Sequence, residues 1–274
     1  MSPVNVKEGD GPVILGLPHA GTFVPPEVAQ ALNERGQALA DTDWHVDQLY
    51  DGLLPGATYV RANFHRYVID ANRDPAGVSL YPGQNTTTLV PLTDFDGAPI
   101  WNQPPSTQDI AAQKAAFHSP YHAALAEQIA RVKARHGVAI LFDCHSIRSR
   151  IPFLFDGVLP DLNVGTNGGL TCAALVQDAV WQACEGSEFS AVLNGRFKGG
   201  WTTRHYGQPE AHVHAIQLEL AQSTYLTAEE PPWSYDSDKA LKLRGLLRDI
   251  LTSLADLAPS LTANPTSATP KGTS

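Results

Sequence analysis

Three apolar runs of strand length constrain this chain more than anything else in it, because each carries a chemically active polar side chain at or near its end. Pro12 to Pro18 leads into His19, Val138 to Cys144 leads into His145, and Val213 to Ala221 contains Glu219. Runs of this length without polar alternation read as strands buried on both faces. In open α/β sheets, ligands gather beyond the carboxyl ends of such strands. Two imidazoles and a carboxylate delivered there point to a metal-dependent hydrolase, since neutral imidazole and carboxylate are the usual ligands of catalytic zinc.

The size of the chain fits one large α/β domain better than two, because 274 residues is within reach of a single such fold. A hydrophobic share of 43% supplies a sizeable core. The net charge of −9 argues against nucleic acid or an anionic membrane as partner, so any anionic ligand must be read by individual arginines. Cys144, Cys172 and Cys184 make an odd count with no CxxC, which fits a reduced cytoplasm better than a disulfide scaffold. The segment Met1 to Asp10 lacks the apolar stretch of a secretory signal. No run approaches the ~20 apolar residues that span a bilayer.

Along the chain, strands and helices alternate. The pattern predicts a strand over 12–18, a helix from Pro25-Pro26 to about Arg35, and a helix capped by Asp41-Thr42-Asp43 that runs to about Leu54. Residues 57–63 and 66–71 are β-rich. Residues 74–107 are dense in Pro, Gly, Thr and Asn, and a segment that long without periodicity is usually functional or a lid. A long helix over 108–136, a strand over 138–144, a loop over 163–169 and a helix over 170–184 follow. Then come a strand over 189–194, a loop from Asn194 to Gly207, a strand over 213–221 and a helix over 237–256. Residues 1–257 read as one catalytic domain, and 258–274, rich in Pro, Ser, Thr, Ala and Gly, as a disordered tail.

Six motifs carry a family resemblance. Pro18-His19-Ala20-Gly21, Asp41-Thr42-Asp43-Trp44-His45, Val68-Ile69-Asp70-Ala71-Asn72-Arg73, Asp143-Cys144-His145-Ser146-Ile147-Arg148-Ser149, Asn194-Gly195-Arg196-Phe197-Lys198-Gly199-Gly200 and Gln217-Leu218-Glu219-Leu220-Ala221 occur in that order over most of residues 10–255. Together they resemble the N-formylglutamate amidohydrolase (deformylase) family, distant relatives of zinc carboxypeptidases and aspartoacylases. The resemblance implies a three-layer α/β/α fold with a mixed sheet of the phosphorylase/hydrolase-like kind. It also implies one catalytic zinc and hydrolysis of N-formyl-L-glutamate to formate and glutamate, a reaction that ends one bacterial route of histidine degradation.

The residues themselves agree with that chemistry. Hydrolysing an amide at neutral pH needs an activated water and a sink for the oxyanion, both of which zinc supplies. His19 and His145 are the expected imidazole ligands. A lone histidine is ordinarily a hydrogen-bonded core or surface residue, but two at strand ends beside small or turn-forming neighbours make a site. Carboxypeptidase relatives place a Glu three residues after the first His, where this chain has Thr22. The third ligand must then come from Asp41, Asp43 or His45, with Asp43 favoured. The alternative is that the aspartates merely cap a helix.

Glu219, a carboxylate inside an apolar strand, is costly there unless paired or functional, and is expected to be the general base. By resemblance to aspartoacylases, Arg66 is expected to stabilise the oxyanion, while Asn72 and Arg73 hold a substrate carboxylate. A dicarboxylate needs further cations, for which Arg148, Arg196 and Arg204 are candidates in polar loops after strands, as are Arg150 and Lys198 with a stronger alternative as solvated charges.

Other features are decoys. His118 and His122 have zinc-ligand spacing, but no Glu follows His118 and Pro120 interrupts the turn, so both read as packing or hydrogen-bonding residues. Cys144 and His145 are adjacent in a strand and point to opposite faces, which is wrong for a thiol–imidazole dyad. Ser146 lacks a GxSxG elbow. Two other readings stay open: a zinc amidohydrolase for another N-acyl amino acid, and an inactive protein that binds acidic ligands.

Overall fold

The computed structural model describes residues 2–80 and 83–262. Its elements in chain order are β1 (Val4–Lys7), β2 (Val13–Leu17), α1 (Pro26–Ala31), α2 (Glu34–Gln37), α3 (Val46–Tyr50), β3 (Thr58–Ala62), α4 (Thr107–Gln113), α5 (Ser119–His136), β4 (Ala139–Ile147), β5 (Leu162–Gly165), α6 (Ala174–Glu185), β6 (Ala191–Leu193), α7 (Trp201–Tyr206), β7 (Val213–Ala221) and α8 (Ser237–Leu257). The strands form one mixed sheet in the order β1-β3-β2-β4-β7-β5-β6. The central strands β3, β2, β4 and β7 are mutually parallel, while β1 and β5 run antiparallel to their inner neighbours.

Every residue of β2, β4 and β7 is buried, because helices cover both faces. On one face α3, α6 and α8 pack through Leu49, Tyr50, Val176, Val180, Leu243 and Leu247. On the other, α1 and α5 pack through Val28, Tyr121, Leu125, Ile129 and Val132. The result is the expected three-layer α/β/α arrangement. The amphipathic spacing of Ala240, Leu243, Leu247, Ile250, Leu251 and Leu254 makes α8 a helix with one buried stripe, and Asp236 caps it by accepting from the Asp238 and Lys239 amides. No helix among the described residues is long and apolar enough to cross a membrane.

Several local expectations change. Residues 66–71 form turns instead of a strand, because the Val68 amide bonds the His65 carbonyl (2.9 Å) and the Asp70 carboxylate then bonds the Asn72 amide (2.8 Å). The helix expected over 25–35 breaks at Leu32 and restarts as α2, capped by Asn33, whose side chain accepts from the Gly36 amide. The helix expected from Asp41 shrinks to α3. Its cap position is held by His45 in a left-handed conformation (φ 58°), and the aspartates before it turn inward. β1, β5 and α7 are too short to announce themselves by periodicity. Ala258 to Leu261 form a 3₁₀ turn with Ala258 and Leu261 buried, in a stretch expected to be disordered. The rest of that expected tail, 263–274, lies outside the described residues.

The long helix over 108–136 is realised as α4 and α5 joined by a π-helical turn at Lys114–His118, just before Pro120. His118 and His122 act as hydrogen-bonding residues. The Nε2 atoms of His118 and His122 lie 3.1 Å from the Arg73 carbonyl and 2.8 Å from the Ala71 carbonyl, and Tyr206 hydroxyl reaches His122 Nδ1 at 3.1 Å. They anchor the 70–73 segment to α5.

Burial lowers the His122 pKa to about 3 and lowers that of His118 as well. A histidine held neutral in the fold contributes stability that is complete above its unfolded pKa and is lost as pH falls toward the folded value. We expect urea denaturation of the protein to show stability falling between about pH 6.5 and 3, by up to about 1.4 kcal/mol per pH unit for each such proton. His122→Gln should flatten that acid limb. An unchanged limb would mean that His122 does not stay neutral in the fold.

Candidate functional site

β2 and β4 are parallel neighbours, so their carboxyl ends lie side by side and bring His19 next to His145. The Asp43 amide bonds the His19 carbonyl (3.1 Å), which delivers the Asp43 carboxylate to the same point. The Nδ1 atoms of His19 and His145 are 3.2 Å apart, and Asp43 Oδ2 lies 3.3 Å from His145 Nδ1 and 3.8 Å from His19 Nδ1. All three side chains are buried.

The outer ring nitrogens face carboxylates. His19 Nε2 is 2.7 Å from Asp70 Oδ1, and His145 Nε2 is 3.1 Å from Asp143 Oδ1. With the His19 Nε2 proton turned to Asp70, the His19 Nδ1 lone pair, His145 Nδ1 and an Asp43 carboxylate oxygen converge on one point. That donor set fits a divalent cation, since two ligands about 2.1 Å from a tetrahedral ion sit ~3.4 Å from each other. Of the three candidates for the third ligand, only Asp43 joins the histidines. Asp41 Oδ2 instead accepts from the Tyr67 hydroxyl (2.8 Å) and the Phe95 amide (2.9 Å), and His45 Nε2 meets the Trp233 carbonyl (2.9 Å).

Electrostatics favour a cation here. Burial opposes ionisation of Asp43, but the Arg66 guanidinium and the two histidines outweigh it and hold its carboxyl below the ordinary range. Burial likewise opposes charge on Asp70, where Arg73 and His19 prevail. Burial opposes a positive His145, yet Asp143 and Asp43 draw positive charge toward it and raise its pKa. Asp41 differs: burial dominates and pushes it up to about 6.

Glu219 stands beside this centre because the β4–β7 register pairs it with His145. Burial pushes its carboxyl up to about 7. Both residues line a cavity of about 70 Å³ together with His19, Arg66, Asn72, Arg73 and Arg196. Arg66 Nη2 donates to Asp43 Oδ1 (2.9 Å), and its guanidinium lies over the Phe95 ring. Arg73 donates from Nε and Nη2 to the carbonyl and hydroxyl of Thr87 (3.0 and 2.9 Å). Arg196 donates to the Leu154 and Asn85 carbonyls (3.0 and 2.9 Å).

Asn72 is used by the scaffold: Oδ1 accepts from the Thr202 amide (2.8 Å), and Nδ2 sits 3.1 Å from His145 Nε2. Two expected substrate contacts do not line the cavity. Arg148 pairs with Asp96 (3.0 Å), and Arg204 Nε donates to the Gly199 carbonyl (2.8 Å). Neither Arg150 nor Lys198 lines it. A much larger open cleft, about 710 Å³, lies between β1, β3, α3 and α8, but its Arg61 is paired with Asp47 and its Arg244 is bound to the carbonyls of Gln48, Leu49 and Asp51. The smaller cavity is the site on chemical grounds.

Residues 11–226 match the family of N-formylglutamate amidohydrolases. The chain belongs to that family. It is 48% identical over 257 residues to an N-formylglutamate deformylase of Pseudomonas aeruginosa and 43% identical over 255 residues to one of Pseudomonas putida, each match covering 92% of this chain and 95% of the relative. A crystal structure of an N-formylglutamate amidohydrolase from Ralstonia eutropha shares the fold, with a TM-score of 0.77 at 24% identity over 95% of this chain and 98% of that one. A gene product of Agrobacterium tumefaciens gives a TM-score of 0.71 at 18% identity over 94% and 96%.

Within this family member, sequence reasoning missed the supporting residues Asp70, Asp143, Phe95, Asn85, Thr87 and Gln217. Asp70 and Asp143 left a signal: each is a carboxylate in an apolar run, two or three residues from another polar group. Asn85, Thr87 and Phe95 left none, because only the path of the 74–107 segment brings them in.

The geometry separates Asp43 from Asp41. Asp43→Asn should weaken divalent-metal binding by at least about 100-fold, since even outer partners of metal ligands contribute 10–100-fold. Asp41→Asn should leave it near wild type. Metal titration against a competing chelator measures both, and equal losses would remove the distinction.

Proposed function

We propose that this protein hydrolyses N-formyl-L-glutamate to formate and L-glutamate, using zinc held by His19, Asp43 and His145. The observation that carries this reading is the convergence of His19 Nδ1, His145 Nδ1 and Asp43 Oδ2 beside a cavity lined by both histidines, Glu219 and three arginines. The relatives named N-formylglutamate deformylase support the substrate. The proposal includes the physiological setting, the end of a histidine-degradation route in the cytoplasm. Three free, buried cysteines are consistent with a reducing compartment.

Zinc held by His19, Asp43 and His145 would supply Lewis acidity, the chemistry that lowers the pKa of a water and polarises a carbonyl. The chain does the rest. Glu219 accepts the proton of the attacking water at its carboxylate and returns it to the amide nitrogen as the C–N bond breaks, which releases formate and the amine of glutamate. A carboxyl raised to about 7 by burial is matched to taking and giving a proton near neutrality. Arg66, fixed by Asp43 and Phe95, faces the charge that develops on the formyl oxygen. Arg73 and Arg196 offer cations to the two substrate carboxylates.

Purified protein should release formate from N-formylglutamate, lose the activity on chelation and regain it with zinc. Activity that survives complete removal of metal would overturn the reading. Glu219→Gln should keep its zinc and lose about 10²–10⁴-fold in rate.

The arginines should fail differently. Arg73→Lys keeps the charge but loses the fork and should mainly raise KM, whereas Arg66→Ala should mainly lower kcat. N-formylalanine should be a poor substrate, because it brings only one carboxylate to the arginines that line the cavity. Equal kcat/KM for the two substrates would favour a broader N-acyl amino acid amidohydrolase.

A further inference from the structure

Gln217 lies two residues before Glu219 on β7, so both side chains project from the same face of the strand. The amide is buried and both ends are engaged. Gln217 Oε1 accepts from the Gly200 backbone amide (2.7 Å), and Nε2 donates to Glu219 Oε2 (3.1 Å). The orientation of a glutamine amide follows from its partners, and this one is unambiguous. A backbone N–H can only donate, so the atom facing Gly200 is the oxygen. The NH₂ group must then face Glu219. Among the described residues, no other side chain donates to Oε2, and no hydrogen bond reaches Oε1.

The surroundings are built to bring Gly200 this close. Gly165 on β5 is the ladder partner of Gln217, and a side chain there would meet the Gly199 nitrogen at 2.5 Å. The missing side chain lets residues 198–200 lie against the sheet. Gly200 is equally constrained, since a Cβ on it would fall 2.2 Å from Asn72 Nδ2. The chain entering α7 is thus wedged between Asn72 and Gln217, and its backbone amides orient both side chains.

We propose that Gln217 is a positioning residue for the reaction. Its amide, aimed by the Gly200 N–H, holds Glu219 through one oxygen and leaves the other to meet the attacking water. This rests on the reading of Glu219 as general base. Without the amide, the carboxylate can rotate about its last torsion, and the fraction of time in which an oxygen faces the water falls.

The test is a double-mutant cycle on the zinc-loaded enzyme. Gln217→Met keeps the length of the side chain and removes the donor. It should lower kcat about 10- to 100-fold, as expected for a hydrogen bond to a charged group, while KM stays within about threefold and zinc content is unchanged. In a Glu219→Gln background the same change should cost less than about twofold, because the group it positions is already disabled. Gln217→Leu, which also removes the donor, carries the same cycle if the Met variant is unstable.

Equal losses in the two backgrounds would assign Gln217 a general structural role and overturn the proposal. A raised KM with unchanged kcat would make it a substrate contact and also overturn it. If Glu219→Gln itself turns over at the wild-type rate, the base assignment falls, and this inference falls with it.

Discussion

Three acceptors, His19 Nδ1, His145 Nδ1 and Asp43 Oδ2, lie within 3.2 to 3.8 Å of each other in a buried site. Bare lone pairs do not sit together at that distance without a cation or a proton to share, and much of the architecture is arranged to hold them there. The parallel pairing of β2 and β4 sets the two histidines side by side. The Asp43 amide is tied to the His19 carbonyl, and Arg66 grips the far oxygen of Asp43. Asp70 stands behind His19 and fixes which of its ring nitrogens points inward, and Asp143 Oδ1 lies 3.1 Å from His145 Nε2. Two of these three side chains come from strand ends, where backbone position is least free to drift.

The cationic side of the cavity is organised on a different principle. Arg66, Arg73 and Arg196 line the cavity while their guanidinium groups bond the scaffold. Arg73 and Arg196 fasten the Asn85–Thr87 stretch to the 70–73 turn and to the loop at Leu154. A planar fork with five donors suits this double duty, and a lysine ammonium does not. The same economy applies to His118 and His122, which are spaced like metal ligands yet hold the carbonyls of Arg73 and Ala71 so that the Asp70–Arg73 turn keeps its place.

Much of this was visible in the sequence, and particular residues show why. His19, His145 and Glu219 stood out because polar groups break long apolar runs, and such runs are a local signature of strands covered on both faces. α8 was equally plain, since its 21 residues carry a repeating stripe of buried leucines and isoleucines. The 66–71 segment misled because β-branched and aromatic residues also suit a buried turn, and the Asp70 Asx-turn that bends it costs a single side chain. Asp41 and Asp43 looked like helix caps because Asp is a favoured cap residue. In the fold each carboxylate has a stronger partner elsewhere, the Tyr67 hydroxyl for one and the Arg66 guanidinium for the other.

What the sequence determined by itself was the strands β2, β3, β4, β6 and β7, the two imidazoles and the carboxylate at the ends of the longest runs, the α/β class and, through its ordered motifs, the family. These are local quantities: hydrophobic runs, caps and short motifs are written in consecutive residues. Only the tertiary structure decided that Asp43 and not Asp41 or His45 joins the histidines, that Arg196 lines the cavity while Arg148 and Arg204 do not, and that Gln217 holds Glu219. Each of those outcomes depends on where a loop passes after long-range packing, and a side chain that turns toward a ligand in one path of the loop bonds a carbonyl or an aspartate in another.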